Sequence, residues 1–329
     1  MKSLFIYAFI LSLTMSILVI FLTSKYNLFI DHSDVSKPQN FHETATPRAG
    51  GIGLFLASML LLLSSFGLKF VIPILFAFVS GIFEDFHNSL SPKLRLFLQF
   101  IAAATAIWLT DAVVTYLGLG ITMPYWVGAI FSIFAIVGMM NAINIIDGFN
   151  GLASGVILLI LFSFLTVSYT HGNTEIFTVT SIIIGATLGF FLLNFPKGKI
   201  FLGDGGAYML GFIVAVIGIF LAGKYANVSP WYILAIFIYP VWEVLFSIVR
   251  KLSIGLSPMQ PDNQHIHMLI HKHITKSNPL TSVLIWVCIL PNMLLSTLYS
   301  HSSIINILIT LYFIVAYLGI YRFLSQKNT

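Results

Sequence analysis

Five segments of this chain carry side chains that could handle a divalent cation, a phosphate or a proton. Glu84 and Asp85 are adjacent carboxylates at the end of an apolar run. Mutual repulsion and poor solvation raise the pKa of at least one of them, which suits metal binding or proton acceptance from a phosphate. The plainer reading is a helix-capping acidic pair neutralised by Lys93 and Arg95. In 194–206, Asn-Phe-Pro-Lys-Gly-Lys-Ile-Phe-Leu-Gly-Asp-Gly-Gly, Asn194, Lys197, Lys199 and Asp204 offer cation and anion handles within eleven residues. That mixture fits a magnesium–phosphate complex, against the simpler role of Asp204 as a helix N-cap. His265 and His267 lie in a histidine-rich segment that no cysteine accompanies, so phosphate contact fits better than zinc. Arg48, in Thr46-Pro-Arg-Ala-Gly-Gly just before an apolar run, could hold an anionic headgroup against exposed amides or anchor a helix among lipid phosphates. The fifth segment, 141–151, sets the amides of Asn141, Asn144 and Asn150, the carboxylate of Asp147 and two glycines between two apolar runs. Taken alone it reads equally as a polar turn or as a site.

These segments need apolar elements to carry them. The chain has 329 residues, 58% hydrophobic and 8% charged, with mean hydropathy +0.97. A soluble domain carries about 25% charged residues, so the sequence specifies an all-α polytopic membrane protein. Apolar runs at 3–24, 51–67, 69–83, 94–110, 123–140, 152–170, 176–193, 206–222, 230–249, 280–298 and 302–322 predict eleven spans in one integral membrane domain, 1–329. The pair 51–67 and 69–83 is the least well separated. No small-x-small cleavage site follows the first run, which therefore reads as a span and not a signal peptide. Cys288 is the single cysteine, so no intramolecular disulfide is available.

With eleven spans, thirteen of the sixteen Lys and Arg residues fall on one face. By the positive-inside rule that face is cytoplasmic, the N-terminus lies outside and the C-terminus inside. The +5 net charge is thereby explained without nucleic acid. Asp31, Asp34, Glu43, Glu84, Asp85, Asp147, Asp204 and Asp262 share the same face with His32, His42, His87, His265, His267, His271 and His273. A carrier or flippase would hold ionisable groups at mid-depth. Here only Glu243 sits well inside a span. The distribution favours a surface site that meets a soluble substrate over a transporter or a non-catalytic scaffold.

Taken jointly, 141–151, Phe201-Leu-Gly-Asp-Gly-Gly206 and Pro261-Asp-Asn-Gln-His-Ile-His267 resemble the polyprenyl-phosphate N-acetylhexosamine-1-phosphate transferases of glycosyltransferase family 4. In particular they resemble bacterial undecaprenyl-phosphate GlcNAc-1-phosphate transferases. The resemblance implies transfer of a hexosamine 1-phosphate from a UDP-sugar to undecaprenyl phosphate in the bacterial cytoplasmic membrane, with UMP released. Such a step opens the synthesis of O-antigen lipopolysaccharide or another cell-envelope glycan. It implies magnesium, or manganese in its place, held by Asp204, Asn144 and Asp147, with Glu84 and Asp85 accepting or holding the proton of the lipid phosphate. Asp147 belongs with both sets. Arg48, Lys197, Lys199, His265 and His267 become phosphate contacts, Asn194 a nucleotide contact, and Asn141 and Asn150 substrate contacts. Family analogy allows a homodimer. The chain departs from the family pattern where Glu84 replaces the first of paired aspartates, where Asn150 replaces the second aspartate of Asp-Gly-x-Asp-Gly, and where Met268 ends the histidine run. The peptidoglycan translocase is the alternative within the family. It ranks lower because its histidine loop and first-loop signature differ from those here.

Overall fold

The computed structural model describes residues 2–26, 30–31, 46–86, 90–257, 260 and 262–328. His32, Asp34, His42, Glu43, His87 and Pro261, used above, lie outside them. The structure is helical, as expected: α1 (Lys2–Tyr26), α2 (Gly50–Ser58), α3 (Leu68–Asp85), α4 (Pro92–Thr110), α5 (Tyr125–Ile146), α6 (Leu152–Thr170), α7 (Thr174–Asn194), α8 (Gly203–Lys224), α9 (Pro230–Ser253), α10 (Ile266–Ile270), α11 (Asn278–Leu298) and α12 (Ser303–Ser325). A two-residue antiparallel ladder joins β1 (Ile30–Asp31) to β2 (Thr46–Pro47).

Among the described residues nine helices are long and apolar enough to cross a membrane. The two of the expected eleven that fall short are the weakly separated pair. The α2 segment tightens into a 3₁₀ turn at Met59–Leu63, and α3 carries Lys69, Glu84 and Asp85. They nevertheless form a hairpin along the full depth of α8. Gly51 and Gly81 both abut the start of α8, while Phe66 in the turn packs edge-on against Phe220 near its end. Sixteen residues of helix separate Asp204 from Phe220, roughly 24 Å at 1.5 Å per residue.

The molecule is arranged around α8. Of its apolar window 94% is buried, against 22% for α1 and for α12, which turn most of their surface to lipid. In hydrocarbon such helices gain little by hiding apolar area, so close backbone packing must hold them. At the edge, α1 lies on α7 where Gly185 and Gly189 leave room. A Cβ at these positions would sit 2.3 Å and 2.5 Å from the carbonyl oxygens of Phe5 and Phe9. Four helices begin on side-chain caps, with Ser91, Asn173, Ser229 and Ser302 accepting a first-turn N–H.

Two boundaries differ from expectation in ways that matter for the site. The α5 helix runs on to Ile146 instead of ending near 140, so Asn141 and Asn144 are helical residues. The helix tolerates them because each amide finds a partner on a neighbouring helix. Likewise α8 starts at Gly203, which puts Asp204 in its first turn rather than before it.

Candidate active site

The N-terminus of α8 is the meeting point. It has no side-chain cap of its own, Leu202 occupying the cap position. The cap comes from α3: Asp85, 4% exposed, accepts the N–H of Asp204 at 2.9 Å on Oδ1 and that of Gly205 at 3.1 Å on Oδ2. This satisfies two of the first-turn donors that any helix leaves open and puts negative charge at its positive end. The glycines make the approach possible. A Cβ on Gly81 would lie 2.4 Å from the carbonyl carbon of Asp204, and one on Gly51 would lie 2.5 Å from the backbone nitrogen of Gly206. The α2 side is stitched by N–H bonds from Gly50 and Gly51 to the carbonyls of Phe201 and Leu202, at 2.9 Å each.

Asp204, so placed, is ringed by donors. Asn144 Nδ2 donates to Oδ1 at 3.0 Å, Arg95 Nη1 to Oδ2 at 3.3 Å, and Arg48 Nη2 lies 3.7 Å from Oδ1. Arg95 also pairs with Glu84 at 3.7 Å and hydrogen-bonds the Tyr208 hydroxyl. Because the Asn144 nitrogen faces Asp204, its carbonyl oxygen is the atom left to act as an acceptor. Asp147 caps α5 on the same face. Burial pushes its carboxyl up to about 7; Arg48 opposes that shift and the charge of Asp204 adds to it. Asp204, Asn144, Asp147, Glu84, Asp85, Arg48 and Arg95, from five separate helix ends, therefore form one constellation.

The remaining predicted residues are placed differently. Asn141 turns to α4, donating to Gln99 Oε1 and to the Val137 carbonyl at 2.8 Å each. Asn194 accepts from Gly151 N–H at 2.7 Å and donates to the Ile200 carbonyl at 2.8 Å, so it braces the start of α6 against the 194–203 loop. Asn150, 7% exposed, is a second brace. Its Nδ2 donates to the Pro196 carbonyl at 3.0 Å, its N–H to Asn278 Oδ1 at 2.7 Å, and its carbonyl accepts from Ser282 Oγ at 2.8 Å. Lys197 and Lys199 stand exposed on the rim of this loop.

His265 occupies the N-cap of the buried helix α10, and His267 lies in its first turn. His265 Nδ1 lies 2.9 Å from Glu243 Oε1, and His267 packs edge-on against Phe149. Burial holds His267 down to about 4, with Glu243 opposing the shift, so at neutral pH it is an uncharged hydrogen-bonding group. Outside the loop, Arg250 and Lys251 clasp Asp262 at 2.6 Å and 3.7 Å. Arg95 entered the sequence argument only as a neutralising partner for the acidic pair, yet it binds Asp204. Gln99, Tyr239, Asn278, Ser282 and Tyr317 gave no signal, since single polar residues within apolar runs are commonplace.

The family model of glycosyl transferase family 4 matches residues 67–222, the stretch that carries Glu84 through Asp204. A Bacillus subtilis protein described as a "probable undecaprenyl-phosphate N-acetylglucosaminyl 1-phosphate transferase" is 28% identical over 278 residues, 79% of this chain and 75% of its own. The undecaprenyl-phosphate alpha-N-acetylglucosaminyl 1-phosphate transferase of Thermotoga maritima is 28% identical over 269 residues, covering 79% of this chain and 81% of that one. A phospho-N-acetylmuramoyl-pentapeptide-transferase of Streptococcus pneumoniae is also 28% identical, over 272 residues, 75% of this chain and 80% of its own. The chain is thus similar to glycosyl transferase family 4 over its central stretch, and over about three quarters of its length to polyprenyl-phosphate N-acetylhexosamine-1-phosphate transferases.

Proposed function

We propose that this protein transfers an N-acetylhexosamine 1-phosphate from a UDP-sugar to undecaprenyl phosphate at the cytoplasmic face of a bacterial inner membrane, releasing UMP. The observation that carries this reading is Asp204, ringed by Asn144, Arg48 and Arg95 at the junction of five helix ends. Two anionic reactants must meet there, and a cluster that mixes carboxylates with guanidinium groups can hold both a cation and phosphates. The relatives named for undecaprenyl phosphate and GlcNAc 1-phosphate support the substrate class.

In this reading the phosphate oxygen of the lipid attacks the β-phosphorus of the UDP-sugar. Arg48, 40% exposed, and the rim lysines Lys197 and Lys199 receive the diphosphate, and His265 and His267 bind phosphate oxygens. Both oxygens of Asp85 are committed to the α8 backbone, and protonating one would weaken that cap. Glu84, 35% exposed, is the neighbouring carboxylate with access to a phosphate proton. Magnesium fits the donor set in kind, since Asp204, Asp147 and the Asn144 carbonyl are hard oxygen donors. Among the described residues no three His, Cys, Asp or Glu side chains could hold an ion alone. Phosphate and water would complete the shell, which is how magnesium is usually bound. When bound, it would offset charge on the diphosphate.

Membranes containing the protein, incubated with undecaprenyl phosphate, magnesium and a panel of UDP-sugars, are expected to release UMP. Asp204→Asn should lower release at least a hundredfold. Folded protein that releases no UMP with any UDP-hexosamine would sink the proposal. UDP-N-acetylmuramoyl-pentapeptide belongs in the panel, because the Streptococcus pneumoniae relative is matched at the same 28% identity. Use of that substrate alone would favour the translocase.

A further inference from the structure

Glu243 has no task in the reaction above, yet it lies halfway along α9 and is 1% exposed. A carboxylate at such depth persists only if its oxygens are well satisfied. Oε1 accepts from Nδ1 of His265 at 2.9 Å and from the Ile266 N–H at 3.1 Å, and Oε2 accepts from the Tyr317 hydroxyl of α12 at 2.9 Å. One turn earlier on α9, the Tyr239 hydroxyl lies 3.4 Å from Nδ1 of His267. The two imidazoles are parallel, 3° apart with centroids 5.4 Å from each other. Two histidines spaced by two residues are thus held through Nδ1 by two α9 residues spaced by four.

The consequence is directional. A carboxylate accepts only, so Nδ1 of His265 carries a proton and donates it to Glu243. With Nδ1 engaged, Nε2 is the atom each ring presents. Nε2 of His265 lies 3.8 Å from Asp262 Oδ1, itself paired with Arg250 and Lys251. Among the described residues, Nε2 of His267 is buried without a hydrogen-bond partner. It is also the one atom near the Cβ position of Gly148, at 3.8 Å, immediately beside Asp147. A buried, unpaired nitrogen facing that turn awaits a partner that the described residues do not supply.

We propose that Glu243 and Tyr239 are positioning residues, which seat the histidine loop on α9: Glu243 fixes the tautomer of His265, and Tyr239 holds the His267 ring so that its Nε2 meets a phosphate-bearing substrate beside Asp147. Tyr317 ties the same clamp to α12. The activity arm of this proposal rests on the transferase reading, but the tautomer arm does not.

The test uses the full-length protein in detergent, labelled with ¹⁵N-histidine, with His265 assigned by difference against His265→Asn. Wild-type protein should show a proton on Nδ1 of His265. Glu243→Gln retains an acceptor oxygen and should retain that signature and transfer within a few-fold of wild type. Glu243→Leu combined with Tyr317→Phe removes the acceptor without stranding the tyrosine donor. It should shift His265 toward the Nε2–H tautomer and cut transfer about ten- to a hundredfold, the loss typical when a residue that orients a ligating histidine is removed. An unchanged His265 signature in the folded double variant overturns the clamp, as does full transfer despite a shifted signature. If the double variant does not fold, Tyr239→Phe carries the same test on His267. Should wild-type protein release no UMP from any UDP-sugar, the transferase reading fails while the ring shifts still judge the clamp.

Discussion

At the scale of single residues, the same side-chain type serves different ends according to its neighbours. Asn144 and Asn150 lie six residues apart, but Asn144 faces Asp204 and Asn150 faces the Pro196 carbonyl. The resemblance, in whose pattern Asn150 stands for an aspartate, implies that Asn150→Asp would be tolerated. The geometry reverses that expectation. An aspartate would lose the donor to Pro196 and set a buried carboxylate against a carbonyl, at a cost of about 1–3 kcal/mol. Thermal unfolding in detergent should show a lowered midpoint for Asn150→Asp, and an unchanged midpoint would mean that the brace is dispensable. Asp147 makes a pH prediction. With a carboxyl raised from 3.8 to about 7, the folded state binds a proton that the unfolded chain has released. In the absence of divalent cations, stability should therefore fall as pH rises from about 4 to about 7, then level off. Asp147→Asn should flatten that slope, so equal slopes for variant and wild type would dismiss the assignment.

Elements act here through their ends. The carboxylate of α3 caps α8 and the amide of α5 steadies the first-turn acid of α8, while α10 is anchored at its start by the mid-helix acid of α9. Each of these links depends on how closely two backbones approach. Gly81→Ala would press a methyl into the Asp204 backbone, now 2.4 Å from the Cβ position. The α3 and α8 ends must then separate, taking Asp204 out of reach of Asn144 and Arg95. A misplacement near 1 Å is worth about a hundredfold in rate. Gly81→Ala is accordingly expected to lose transfer of that order while the protein still purifies as a folded monodisperse species. Near wild-type transfer would show that the junction has slack.

Among the described residues, the helix ends that bear chemistry converge on one face, and the opposite face carries short connections with one ion pair, Lys224 to Asp111 at 2.6 Å. That separation fits a surface enzyme, and the positive-inside rule predicts that the site faces inward. In a Cys288→Ala background, Lys272→Cys should react with a membrane-impermeant thiol reagent in inside-out vesicles only, and Leu119→Cys in right-side-out cells only. The reverse pattern would invert the topology. Glu243, the one feature of the sequence that favoured a carrier, loses that meaning at this scale, because its partners come from the histidine loop and α12 and not from a path across the bilayer.

The divide between sequence and structure follows from the range of the forces involved. Hydrophobic runs of 20 or so residues are a local property, so the 152–170 and 280–298 spans coincide closely with α6 and α11. The shared face of the polar loops follows from counting those spans. Helix ends were less legible, since α5 extends through two asparagines only because Gln99 and Asp204 await them from other helices. What tertiary structure alone decided is the division of labour among residues of one type. Asp85 caps while Asp204 faces Arg48, Arg95 and Asn144, and Asn194 and Asn150 brace loops. Glu243 serves a histidine 22 positions away and Tyr317 reaches it from 74. Hydrogen bonds act over about 3 Å, and only the folded chain brings such distant groups within that distance.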